Sequence, residues 1–198
     1  MVRKSGSAIL AVGLTIWLSS GIAFAQATPS PEIPGPERCL VAAPSFEAIG
    51  RIMATPAAIA VSPTASPDAA ATPVSASDGV AVAGVVRELI ACFNAGEPLR
   101  AYGLYTDAYL RHLLAVQGVP TQVQYDALSL AEPPPADRYV QILAIRNGKA
   151  LPNGGVRTAV TLRYAGVPVP KTFVFDLIET SSGWRIDDAL GEIDFSLP

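Results

Sequence analysis

The stretch that most restricts the fold is 139–190, where apolar residues recur with period two between breaks rich in glycine. Thr158, Val160 and Leu162 alternate with Arg157, Ala159 and Thr161, and Phe173, Phe175 and Leu177 alternate with Val174, Asp176 and Ile178. Alternation in β-branched and aromatic residues marks strands with unlike faces. Asn147-Gly148, Asn153-Gly154-Gly155, Ala165-Gly166 and Ser181-Ser182-Gly183 supply residues that tolerate positive φ at the turns. Four antiparallel strands are expected, the last containing Gly183-Trp184-Arg185-Ile186-Asp187. In Tyr139–Ile145, strict alternation sends Val140 and Ile142 to one face and Leu143 and Ile145 to the other. A strand apolar on both sides is covered on both sides, here by helices on one face and an enclosed interior on the other.

The chain opens with Arg3 and Lys4 before an apolar run from Ala8 to Ala25, and Ala23-Phe24-Ala25 places small residues at the −3 and −1 positions before Gln26. That pattern is a secretory signal peptide over 1–25. The rival is an uncleaved anchor, because the run is close to the minimum spanning length. The cleavage site and the proline-rich continuation favour removal. Arg3 and Lys4 leave with it and no acidic residue does, so the formal charge moves from −3 to −5. An acidic chain with scattered cations is poorly suited to nucleic acid or an anionic membrane surface. No later segment is long and apolar enough to span a bilayer, so the expected product is secreted and soluble.

Residues 26–38 read as a proline-rich extended tail, and 39–53 as a short helical segment that Ser45 caps, with Phe46, Ile49, Ile52 and Met53 near one side. Two to three turns are too short to be stable alone, so this piece needs a surface to dock on. Residues 54–77 have the Ala, Pro, Ser and Thr composition of a linker. Residues 78–198 form the folded domain. Its first helix starts at Asp78 and repeats Val82, Val85, Val86, Leu89 and Phe93, ending at Gly96 with Pro98 opening a second helix to about Tyr105. A third runs from Ala108 to about Val116 behind Thr106 and Asp107. A strand near Val123–Leu130 fills an otherwise long gap before the stiff Pro133–Pro135 connection. Cys39 and Cys92 are the two cysteines, and in an exported chain an isolated pair points to a disulfide, worth roughly 4 kcal/mol on a chain-entropy model. The alternative is a buried Cys92 and a free Cys39 thiol.

Helices followed by a curved antiparallel sheet give an α+β fold, cone-shaped, with the helices packed on the sheet. Leu89-Ile90-Ala91-Cys92-Phe93-Asn94-Ala95-Gly96-Glu97, Leu104-Tyr105-Thr106-Asp107 and Gly183-Trp184-Arg185-Ile186-Asp187 resemble the helix-turn, central and terminal-strand signatures of the nuclear transport factor 2-like superfamily. That superfamily includes SnoaL-like and ketosteroid isomerase-like proteins. The resemblance covers about 80–190 and implies a cystatin-like roll with an apolar pocket in the cone and dimers through the sheet face. Leu89, Phe93, Tyr105, Tyr109, Ile142, Phe173, Phe175 and Trp184 are the candidates to line that pocket. The isomerase chemistry does not transfer. Leu89 stands where such members place a tyrosine donor and Leu113 where they place the base, and leucine neither donates nor accepts a proton.

His112 is the sole histidine, and Asp107 lies five residues before it, so a catalytic dyad for an isomerase, dehydratase or hydrolase is conceivable. Flanked by Arg111 and leucines, His112 reads better as a helix-boundary residue that lacks orienting partners. Asp187-Asp188 with Glu192 and Asp194 matches no calcium loop and reads as a solvated strand end. Tyr102, Tyr105 and Tyr109 follow helical spacing, and with Tyr125 and Tyr139 they serve equally as packing or as pocket hydroxyls. No metal or cofactor motif is present. The expected function is an exported, non-catalytic binding module, holding a small apolar ligand in the cone or a partner or second copy on the sheet face. A purely structural dimerisation domain is the further alternative.

Overall fold

A computed structural model describes residues 30–55, 73–130, 132–146 and 148–190. The expected signal peptide, most of the linker (56–72), Glu192 and Asp194 lie outside the described residues. The architecture is α+β, with helices packed on an antiparallel sheet that does not close into a barrel. Five helices come first: α1 (Phe46–Ala54), α2 (Ala76–Asn94), α3 (Pro98–Tyr102), α4 (Asp107–Gln117) and α5 (Gln122–Ser129). The sheet follows as β1 (Gln141–Ile145), β2 (Lys149–Ala150), β3 (Val156–Arg163), β4 (Lys171–Thr180) and β5 (Gly183–Leu190), in the order β1-β3-β4-β5, with β2 also paired to β3.

The period-two residues bury the expected face. Val160, Leu162, Phe173, Phe175, Leu177 and Ile186 form one core with Val86, Leu89 and Ile90 of α2. Two β-bulges change the phase of the alternation. The register slips between Ile142 and Ala144, so that Ile142 faces Leu162 and Ile145 faces Val160. Ile142 and Ile145 therefore share the core side. The expected two-sided apolar strand is corrected to a bulged one-sided strand, because an extra residue reverses every later side chain. A second slip, between Asp176 and Leu177, separates Asp187 from the ladder and sets Ile186 opposite Leu177.

The helix boundaries follow from capping. Ser75 is the N-cap of α2 and accepts from the Asp78 amide at 3.1 Å, so the helix begins just before the expected Asp78. At its other end Glu97 N–H donates to the Cys92 carbonyl and Gly96 N–H to the Phe93 carbonyl, the paired bonds of a Schellman cap. Gly96 has φ 69°, and a Cβ there would lie 2.4 Å from the Glu132 carbonyl oxygen. Only glycine meets both conditions. The second helix is shorter than expected, because Tyr105 leaves it for a parallel bridge to Ile186. The expected strand at Val123–Leu130 is helix α5. Thr121 and Gln124 close a reciprocal capping box, and only Tyr125 and Leu128 turn inward along it.

The segment expected as an extended tail is docked from residue 30 onward. Glu32 exchanges two 2.8 Å main-chain hydrogen bonds with Ile142 on the outer edge of β1, and Pro34 is buried. A disulfide joins Cys39 to Cys92, the pairing expected from the sequence. Glu88 accepts from the Leu40 and Val41 amides at 3.1 and 2.7 Å. Asn94, 1% exposed, donates to the carbonyls of Pro34 and Val140 and accepts from the Val140 amide. Replacing Asn94 with Ala leaves these buried groups without their partner, at a cost of about 3 kcal/mol. The urea midpoint should fall with an unchanged m-value, and a midpoint equal to the native one would remove Asn94 from this role.

Candidate functional site

The eight sequence candidates for a cone pocket do converge, as packing. Leu89 is 0% exposed, Phe175 1%, Phe173 2%, Ile142 3%, Tyr105 5% and Tyr109 8%, and all belong to one buried cluster. Phe93 and Trp184 are partly buried against it. Side chains of α2 occupy the space in front of the sheet that a cone ligand would need. Phe173 stacks on Phe175 with centroids 6.5 Å apart, and Tyr105 meets Tyr109 edge-on at 5.2 Å.

His112 and Asp107 are both exposed on α4. Five residues of α-helix set them roughly 140° apart around its axis, and no hydrogen bond or ion pair joins them among the described residues. Asp187 accepts from the Thr106 hydroxyl at 2.8 Å, and Asp188 accepts from the Ala189 amide. The adjacent aspartates thus hold the polypeptide rather than face one another. Among the described residues no three His, Cys, Asp or Glu side chains are grouped as metal ligands would be.

An open groove of about 440 Å³ lies instead along the seam between α1 and the body of the domain. One wall is α1, through Ala48, Arg51 and Ile52, with Thr55 just past its end. The other is built from Tyr102, Gly103, Tyr105, Asp107 and Leu110; the turn before β5 adds Ser182, and the start of β5 adds Arg185. Local chemistry fixes each wall. Ser45 caps α1 by accepting from the Ala48 amide at 3.1 Å, and Ile49 is fully buried beneath it. Phe46 packs edge-on against Tyr125, whose hydroxyl donates to the Pro44 carbonyl. Arg111 of α4 donates to the Ile52 carbonyl at 2.8 Å and holds the last turn of α1. Gly103 is where the residues leading into α1 cross the end of α3: a Cβ there would lie 2.4 Å from the Ala42 carbonyl oxygen. The Gly103 carbonyl in turn accepts from the Arg185 guanidinium, which also reaches the Ser182 hydroxyl at 3.3 Å.

Tyr105 belongs to both the core and the groove wall. Its buried hydroxyl has no hydrogen-bond partner among the described residues. Burial pushes that phenol well above its ordinary pKa, and the neighbouring Tyr109, Tyr102 and Tyr164 push the same way. Tyr109 is pushed up to about 12 by burial and then by the charge of Asp188. Sequence reasoning marked Tyr102, Tyr105 and Asp107 but missed Arg51, Ser182 and Arg185. They come from two segments far apart in the chain, with no motif linking them.

A second recess, of about 590 Å³, lies beside the β3–β4 hairpin, with Tyr139, Arg163 and Tyr164 on its wall. No group in it is both buried and unpartnered among the described residues.

The raised phenol values fix the sign of a pH dependence. A group with its pKa raised in the folded state stabilises the fold below its unfolded value and loses that contribution as pH climbs through the folded one. Stability linked to Tyr109 should therefore hold up to about pH 10 and decline between there and about 12. Urea unfolding of Tyr109→Phe across that range should show a shallower decline, and an unaltered slope would refute the shift. Comparison with known proteins finds no matching family model, no matching curated protein and no matching solved structure.

Proposed function

We propose that this chain is an exported, non-catalytic binding module of the nuclear transport factor 2-like kind, and that its ligand lies in the groove between α1 and the domain. Export accounts for the apolar N-terminal run and agrees with the Cys39–Cys92 disulfide. Among the described residues no helix is long and apolar enough to cross a membrane. The order of helices then antiparallel sheet supports the family reading. The observation that carries the binding reading is the groove itself, a concave seam where aromatic, hydroxyl and charged side chains converge from separate segments. The interior of the cone lacks comparable support, because Leu89, Phe173 and Phe175 pack it closed. An enzyme using His112 with Asp107 gains none from their separation on α4.

The test is native mass spectrometry of the protein recovered from the medium of cells that secrete it, without refolding. A reproducible extra mass that leaves on denaturation is expected, and Ala48→Trp, which fills the groove from the α1 side, should remove it. A bare mass for the unsubstituted chain would sink the reading.

A second copy on the outer sheet face is the other reading with an observation behind it. Ala159, Val174 and Ile178 are only half-buried on the face opposite the core residues. If that face joins two copies, Val174→Glu should convert a dimer to a monomer in analytical ultracentrifugation, whereas a monomeric unsubstituted chain would dismiss it.

A further inference from the structure

We infer that the groove is an oxyanion site, in which Arg51 and Arg185 hold a carboxylate or phosphate group of the ligand. The inference rests on the groove being the binding site and adds the chemical class of what it holds. Its basis is an imbalance of charge. Arg38 and Arg87 meet Glu32, Arg100 meets Glu97, and Arg157 meets Asp176. Arg51 and Arg185 meet no carboxylate among the described residues; Arg111, Arg138, Arg146, Lys149, Arg163 and Lys171 share that state, but none of those six lines this groove. Arg51 is exposed, and its guanidinium has no partner there. Arg185 donates only to neutral acceptors, the Gly103 carbonyl and the Ser182 hydroxyl. Those bonds orient the guanidinium without neutralising it. In a chain whose formal charge is negative, two uncompensated guanidinium groups facing one concave seam leave a local excess of positive charge.

The rest of the lining fits an anion with a small organic body. Guanidinium groups match the planar fork of a carboxylate or the face of a phosphate, and the bonds are charge-assisted. Ser182 adds a hydroxyl beside Arg185, and Tyr102 adds an aromatic wall. Arg111 donates to the Ile52 carbonyl and holds the main chain of the last turn of α1, so the α1 wall keeps its place before a ligand arrives. Asp107 is the one carboxylate in the groove lining, and it opposes an anion. That opposition gives the inference a test of sign.

Titrate the full secreted chain, freed of bound ligand by dialysis, with inorganic phosphate and separately with succinate at low ionic strength. Follow the Gly103 and Ser182 amides by NMR. At least one anion should shift both amides saturably, and the stronger of the two identifies the phosphate or the carboxylate class. Arg51→Gln, at an exposed position with no partner, should weaken binding roughly tenfold, and Asp107→Asn should tighten it a few-fold. The thermal midpoints of both variants serve as the control for folding. No saturable shift with either anion overturns the inference, as does Arg51→Gln binding with unchanged affinity. The co-purified mass separates this failure from that of the groove itself. If Ala48→Trp removes the mass while Arg51→Gln retains it, the groove binds a ligand that is not an oxyanion. If neither variant removes it, the groove is not the site and both readings fall.

Discussion

One carboxamide, at the C-terminal end of α2, ties the beginning of the described chain to the beginning of the sheet. Asn94 gives both amide hydrogens to carbonyls, one from Pro34 and one from Val140, and takes the Val140 amide in return. A buried polar group is tolerable only when its hydrogen bonds are made, and here the partners are main-chain groups that would otherwise be orphaned. The Cys39–Cys92 disulfide lies one half-turn away on the same helix, and Glu88 receives two amides from the chain just beyond it. Residues 32–41 therefore run along α2 under covalent and polar restraint. That run delivers α1 to the surface of α4. Helix α1 is too short to hold itself, so its position, and with it one wall of the groove, is borrowed from these contacts.

Connecting segments cover the edges of the sheet. An open antiparallel sheet has two free edges, each a row of unpaired amides and carbonyls that invites other chains. On the β1–β2 side, Glu32 bridges to Ile142 and Pro73 to Lys149. On the β5 side, Leu104 and Thr106 exchange main-chain hydrogen bonds with Ile186. Single-residue bridges from connecting segments thus replace the neighbouring strands that a barrel would have supplied. The bulge at Asp187 serves the second edge, because it frees that carboxylate to take the Thr106 hydroxyl that also caps α4. The outer face of the sheet is held by the bidentate Arg157–Asp176 pair, whose carboxylate is 14% exposed. The bulk of the sheet's stability nonetheless comes from the apolar face under α2.

These arrangements place the polar groove at a seam. A ligand there would touch α1, the end of α3, the first turn of α4 and the β4–β5 turn together. The core, by contrast, presents Leu89 and two phenylalanines in close packing. Enclosing a ligand among them would mean displacing buried side chains from the interior.

Much of the fold was legible in the residue order. Period-two runs at 156–163 and 171–180 gave two strands and their buried faces, because a strand half in contact with helices has to alternate. Ser45, Thr106 and Gly96 marked helix ends through local hydrogen bonding and φ alone, and an isolated pair of cysteines behind an expected export signal pointed to one bridge. The capping box Thr121-Gln122-Val123-Gln124 was equally legible, but the strand expected there rested only on the length of the gap it had to fill, and the local hydrogen bonding made a helix instead. The bulges at Leu143 and Asp187 left no local sign, since the cost and gain of an extra residue are set by the partner strand. The groove was beyond reach for the same reason. Arg51, Asp107 and Arg185 stand far apart in the chain, and the interactions that bring them together are tertiary: one disulfide, one buried amide and the docking of a helix too short to stand alone. Local structure is set by neighbours along the chain. The site was decided by neighbours in space.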